Sequence, residues 1–174
     1  IWPDSRFLWL INAIPAGIRL VKQFKPHVIV SIAPPYTDLL LGYFLASRFK
    51  IPHFVDMLDP WSDDLYGMYP SAWQKKLTFE AEKLIMKSVK GIIVATYPMK
   101  WRLTEKYPFL KPENVENITF GINEDLIIGV REIDYTAPFT LLYLGTMRGS
   151  HKKPSAFVDA FANFVKEIKD ARIM

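Results

Sequence analysis

An α/β fold, a Rossmann-like doubly wound parallel sheet, is predicted by three observations. Short apolar runs recur along the chain at Val28-Ile29-Val30-Ser31-Ile32-Ala33, His53 to Met57, Gly91-Ile92-Ile93-Val94-Ala95 and Val115 to Thr119. The segments between them are long enough for helices and show helical spacing of apolar residues. Turn residues rather than hairpin dipeptides close each run, and parallel strands can be joined only by such crossovers.

The elements follow in order. The chain starts at Ile1 and meets its first strand only after a helix, so the expectation is a domain lacking its first strands. After Ala33 come Pro34-Pro35-Tyr36-Thr37 and a helix through Phe49, with Thr37 as the expected cap because its hydroxyl can accept from unpaired first-turn N–H groups. Ile51-Pro52 ends that helix, since proline disfavours helical geometry in the residue before it. The strand His53 to Met57 is stopped by Asp59-Pro60, and Ser62-Asp63-Asp64 with Gly67 continues as polar loop. Ser71 opens a helix to about Lys90, with Leu77, Ala81, Leu84, Ile85 and Ser88 as the expected inward face and Lys75, Lys76, Glu80, Lys83 and Lys87 outward. A helix from about Pro98 to Tyr107 separates the last two strands.

A break at Ile133-Asp134-Tyr135-Thr136-Ala137-Pro138 marks a second domain. Phe139 to Leu144 reads as a strand running into Gly145, and a helix beginning near Pro154 sets Phe157, Phe161, Phe164, Val165 and Ile168 on one side. Residues 1–135 are thus read as one domain and 138–174 as the opening of another, because one strand and one helix cannot enclose a core.

Composition narrows the class. An apolar fraction of 50% in 174 residues supports a sizeable core and argues against disorder. Without cysteine there is no disulfide framework, thiolate metal site or thiol nucleophile, which is compatible with a reducing cytoplasm. No apolar run approaches the roughly 20 residues that span a bilayer, and Phe7 to Ile14 lacks the context of a signal peptide. The expectation is a soluble cytoplasmic protein. Lys and Arg number 22 against 18 Asp and Glu, with Lys75, Lys76, Lys83, Lys87 and Lys90 along one helix beside Trp73. Such a face could rest on anionic lipid at the inner side of a membrane. The plainer reading is a solvated face partly neutralised by Lys76–Glu80 and Glu80–Lys83 neighbours. Nothing accompanies the charge that would read nucleic acid.

Several chemistries are set aside. The chain has no Gly-x-Ser-x-Gly elbow, no phosphate loop ending in Gly-Lys-Ser/Thr and no Gly-x-Gly-x-x-Gly. His27, His53 and His151 stand alone, so neither a zinc site nor any other metal site is expected. Asp56 and Asp59, separated by about 10 Å of extended chain, point to opposite faces. A retaining glycosidase needs carboxyls about 5 Å apart, which demotes hydrolysis.

The carboxyl ends of parallel strands are where open α/β sheets bind ligands. Here they carry Pro35, Tyr36, Thr37, Asp59, Trp61, Thr96, Gly121 and Gly145. Val28 to Ala33 with Pro34-Pro35-Tyr36-Thr37, then Ile51-Pro52, then Asp56-Met57-Leu58-Asp59-Pro60-Trp61, resembles the amino-terminal half of retaining glycosyltransferases of family four, which have the GT-B fold. Glu82 to Thr96, Ile118-Thr119-Phe120-Gly121-Ile122-Asn123 and Tyr143-Leu144-Gly145-Thr146 resemble later elements of that family.

The resemblance implies transfer of a sugar from a nucleotide-sugar donor to an acceptor hydroxyl of a glycan or lipid-linked glycan, with retention and without cofactor or metal. The family's amino-terminal domain holds the acceptor and its carboxyl-terminal domain most of the donor. Asp59 is then the first choice for a contact to the reacting sugar, with Pro35, Tyr36, Thr37, Trp61, Thr96 and Gly121 as substrate-binding residues. Trp61 would stack on a sugar or anchor its loop, and Asp56 would pair within the fold. Gly145 and Thr146 would meet the donor diphosphate by backbone N–H groups, and Arg148, Lys152 or Lys153 would offset its charge. The sequence departs from the family in having Leu58 before Asp59, Phe120 where asparagine is usual, and Thr146 after Gly145. The paired glutamates that hold the donor would lie beyond Met174, so the chain alone is expected to be catalytically silent. The alternatives are a nucleotide-sugar 2-epimerase of the same architecture and a non-catalytic carbohydrate-binding or scaffold domain.

Overall fold

The computed structural model describes residues 2–63, 69–126, 138–144, 154–167 and 171–173. They fall into two compact units, 1–121 and 122–174.

In the first unit α1 (Leu10–Phe24) leads into β1 (Ile29–Ala33), α2 (Thr37–Phe49), β2 (His53–Met57), α3 (Ala72–Ser88), β3 (Gly91–Val94), α4 (Tyr97–Lys106) and β4 (Val115–Asn117). The four strands form one sheet in the order β1-β2-β3-β4, parallel throughout. The predicted α/β class and parallel sheet are therefore present. Each crossover advances one strand in the same direction, and right-handed crossovers of that kind place α2, α3 and α4 on one face.

Burial follows from that arrangement. The register row Ser31, Val55, Ile92 and Val115 is buried, and Val55, Ile92 and Val115 join Leu39, Ile85, Met86 and Leu103 of the helices in the core. The alternate row of Ile32, Asp56, Ile93 and Glu116 faces the other way, with Ile32 and Glu116 exposed. Of the two helix layers of a doubly wound sheet, the described crossover helices supply one. Asp56 lies on the opposite face, and no hydrogen bond or ion pair holds its carboxylate among the described residues. The expected pairing of Asp56 within the fold is thus not seen.

One helix end differs from the sequence expectation and a second agrees with it. Thr37 is the first residue of α2, and its cap comes from far away in sequence: Asp4 accepts from the Thr37 N–H at 2.8 Å and from its hydroxyl at 2.9 Å. On α3, Gln74 Oε1 accepts from the Ser71 hydroxyl at 2.6 Å, so the predicted start holds. The inward face of α3 is Thr78, Glu82, Ile85 and Met86, whereas Leu77 and Leu84 point to solvent. The expectation had the helix rotated, because it weighted leucines over a threonine and a glutamate that find buried partners.

His53 opens β2 in the interior, and Gly42 of α2 packs so closely that a Cβ there would collide with Ser31 Oγ and lie 2.5 Å from His53 Nε2. Ser31 Oγ donates to the Asp38 carbonyl at 3.1 Å and so accepts from His53 Nε2, 2.9 Å away. His53 Nδ1 is buried without a hydrogen-bond partner among the described residues.

In the second unit β5 (Thr140–Leu141) pairs in parallel with β6 (Arg172–Ile173) across α5 (Pro154–Glu167). Phe139 and Phe164 pack at 5.3 Å between ring centroids, and Tyr143 and Phe157 at 5.9 Å, as the aromatic spacing anticipated.

Burial lowers the His53 pKa to about 4 from 6.5. A base depressed in the folded state binds its proton first when unfolded, so its neutral form favours folding fully above pH 6.5 and loses that advantage as pH falls towards 4. Urea unfolding of His53→Gln should accordingly show a flatter decline of stability across this window than wild type. Lys50, at the C-terminus of α2, has φ 57°, a left-handed conformation that favours glycine. Lys50→Gly is expected to raise the unfolding free energy by about 0.5–1 kcal/mol in the same assay.

Candidate functional site

The strands of the first unit end flush. Ala33, Met57, Val94 and Asn117 are register partners, so the loops beginning at Pro34, Leu58, Ala95 and Ile118 leave the sheet side by side. This edge gathers most of the residues singled out from sequence.

The indole of Trp61 is 0% exposed. It stacks on Tyr36 with centroids 5.3 Å apart and planes 5° from parallel, and its Nε1 donates to the Tyr69 hydroxyl at 3.0 Å. Tyr69 in turn donates to the Pro3 carbonyl at 2.6 Å, and Tyr36 to the Pro60 carbonyl at 2.9 Å. Trp61 and Tyr36 are thus the loop anchor of the two readings, and neither offers a ring face to a sugar in this structure. Thr37 is also fully buried, its hydroxyl taken by Asp4. Asp4 occupies the N-terminal end of α2, the place where a helix would otherwise receive an anion. Burial, followed by the charge of Asp4, raises the Asp38 pKa above the ordinary carboxylate value.

The remaining edge residues reach solvent. Pro35 and Asp59 are half-buried, and Thr96 and Gly121 are exposed. Thr96 starts α4, its carbonyl accepting from Met99 and Lys100 N–H groups at 3.1 and 3.2 Å. No atom lies within 4 Å of a Cβ built on Gly121, so contact within the chain does not demand glycine there. Gly145, Thr146, Arg148, Lys152 and Lys153 lie outside the described residues.

A buried ionic network directly behind the loop was not anticipated. Glu82, 1% exposed, receives the Tyr107 hydroxyl at 2.7 Å, the Lys106 ammonium at 3.0 Å and the hydroxyl of Ser62. Lys106 also meets Asp63 at 2.6 Å, and Arg102 meets it at 3.1 Å. Two cations from α4 therefore balance a carboxylate from α3 and one from the loop. Burial, then the charge of Glu82 and its hydrogen bond, push the Tyr107 pKa well up, which keeps the phenol a donor. Arg102 and Lys106 at i, i+4 on a helix were a legible signal, but their acidic partners lie 24 to 43 residues away in the chain.

The cavity bounded by Met57, Pro60, Asp63, Glu82, Val94, Met99, Arg102, Leu103 and Lys106 measures about 20 Å³. That is room for roughly one water and far too little for a sugar. The network fastens the loop; any ligand would bind outside it, at the open edge where Asp59 sits. No hydrogen bond or ion pair engages the Asp59 side chain among the described residues, in contrast to Asp63 on the same loop. Among the described residues no group of three or more His, Cys, Asp or Glu is placed to hold a metal ion.

The sequence matches no protein-family model and no curated protein sequence. Among solved structures the chain is similar to S. aureus MnaA in a co-structure with UDP, with a TM-score of 0.47 and 14% identity over 93% of this chain and 43% of that one. The chain thus spans less than half the length of that structure. A likeness of this size assigns no activity.

Trp61→Ala should destabilise the first unit by about 3–5 kcal/mol in urea unfolding, the cost of emptying a core aromatic site. A sugar-stacking tryptophan on the surface would cost little. Glu82→Ala should cost about 1–3 kcal/mol, since the Tyr107 hydroxyl would be left without its acceptor behind the loop while Lys106 keeps Asp63.

Proposed function

We propose that the protein containing this chain is a glycosyltransferase that moves a sugar from a nucleotide-sugar donor to an acceptor hydroxyl with retention, in polysaccharide or glycoconjugate synthesis. The observation that carries the reading is the state of Asp59. The loop beyond it is locked into the fold by Trp61, Ser62 and Asp63, yet no described residue engages its own carboxylate at the flush ends of a parallel sheet. Fixing a loop just beyond a carboxylate that no described residue engages is how a site orients a group for a ligand.

In this reading Asp59 contacts the reacting or accepting sugar, with Pro35 and Thr96 flanking it. Tyr36, Thr37 and Trp61 act through the loop as positioning residues, and Gly121 leaves room at the edge. The Asp-Pro-Trp element and the Pro-Pro loop before it, resembling those of retaining family-four enzymes, support sugar transfer over other uses of such an edge. Because Asp4 takes the N-terminus of α2, the donor diphosphate falls to residues 145–153, with Gly145 and Thr146 offering backbone N–H groups and Arg148, Lys152 and Lys153 offering charge. A lipid-linked glycan as acceptor would bring the protein to a membrane surface.

In the intact protein, Asp59→Ala should lower transfer at least about tenfold, a loss of roughly 1.4 kcal/mol in transition-state stabilisation, while urea unfolding changes little. Unchanged turnover would overturn the assignment in favour of a carbohydrate-binding or scaffold role. Consumption of donor without any acceptor would point to a nucleotide-sugar epimerase instead.

A further inference from the structure

The rotation of α3 relative to its leucine pattern exposes a second amphipathic face. Trp73, Leu77 and Leu84 are 63%, 41% and 51% exposed. At 3.6 residues per turn they lie within about 40° of one another around the helix, and Lys76, Lys83 and Lys87 fill the adjoining strip. The stems of two of these lysines are held along the surface, with Lys83 Nζ 5.8 Å from the Phe79 ring centroid and Lys87 Nζ 5.3 Å from that of Phe109. Glu80 is the one acidic residue on this face of α3, and it forms an ion pair with neither Lys76 nor Lys83. The neutralisation expected from sequence spacing is therefore not made, and the strip keeps a net positive charge.

The other exposed apolar surfaces lack this combination. Leu8, Trp9 and Ile11 are exposed around the start of α1, and Leu20 and Phe24 are exposed among Arg19, Lys22 and Lys25 towards its end, where no tryptophan accompanies them. Val30 and Ile32 are exposed on β1 without a basic neighbour on that strand. Among the described residues, only on α3 do an exposed tryptophan, leucines and lysines share the same turns. That is the arrangement by which an interfacial helix pairs an apolar ridge with anionic headgroups.

We propose that the outer face of α3 docks on an anionic lipid bilayer, with Trp73, Leu77 and Leu84 entering the headgroup boundary and Lys76, Lys83 and Lys87 meeting the lipid phosphates. This deepens the sugar-transfer reading by giving a lipid-linked acceptor its surface, and only in that respect rests on it. No described helix is long and apolar enough to cross a membrane, so the contact is peripheral.

Co-sedimentation of the 174-residue chain with vesicles tests the proposal without any turnover, so its failure and that of the transfer assignment are separable. Binding should be strong on vesicles of phosphatidylcholine with phosphatidylglycerol and weak on phosphatidylcholine alone, and should fall with added salt. Replacing Lys76, Lys83 and Lys87 by Gln should weaken binding about a hundredfold, at roughly fivefold per lysine. Trp73→Ser with Leu84→Ser should also abolish it, and circular dichroism of both variants should match wild type because every changed side chain is on the outer face. If the serine pair fails to fold, the glutamine variant alone decides. Equal binding to both vesicle types, unchanged binding of the glutamine variant, or loss of binding in Ile11→Ser instead would overturn the proposal. So would light scattering showing a dimer that the serine pair dissolves, which would make a second copy the occupant.

Discussion

The carboxylate of Glu82 is the constraint on which the carboxyl edge of the first unit depends. A buried charge is tolerated only when it is paired and hydrogen-bonded, and Glu82 meets that condition by drawing two separate parts of the chain to α3. Ser62 comes from the loop after β2, Lys106 from the end of α4 and Tyr107 from the residue that follows it. Because Lys106 is shared with Asp63, satisfying the carboxylate also fixes the loop against α4. The stacked rings of Tyr36 and Trp61 do the same towards the β1 loop. What is left over, Asp59, faces the solvent edge as a consequence of how its neighbours are held.

Much of this fold was legible in the sequence because the signals were local. His53 to Met57 alternates between a buried and a half-buried face and is bounded by Pro52 and Asp59-Pro60, so its limits coincide with those of β2. Ser71 marked the start of α3 in the same way, and Gln74 completes its cap. The misreadings arose where partners are distant in sequence. Thr37 carries the side chain of a cap but is itself bonded by Asp4, 33 residues earlier. Glu82 reads as a surface residue on any apolar scale, and only Ser62, Lys106 and Tyr107 turn it inward. That inversion carried Leu77 and Leu84 to the outside, which is why the exposed apolar ridge of α3 could not be seen from periodicity.

The candidate site was half legible on the same grounds. That ligands meet parallel sheets at their carboxyl edge is a property of the fold, and the register starts the loops that carry Pro35, Asp59 and Thr96 side by side there. Which side chains at that edge are free to bind is decided by packing. A tryptophan and a tyrosine next to an aspartate are equally suited to hold a sugar or to hold a loop, and the 5° stack between them decides for the loop. The two roles are complementary, since a carboxylate presented on a loose loop would orient nothing.

A double-mutant cycle between Glu82 and Lys106 tests most directly the claim that a buried carboxylate fastens this loop. Glu82→Leu, Lys106→Met and the double variant would be compared by urea unfolding. The account predicts that each single change is costly and that the double variant recovers a large part of the loss, with a coupling above about 1 kcal/mol. Additive effects of the two changes, with no coupling, would contradict it.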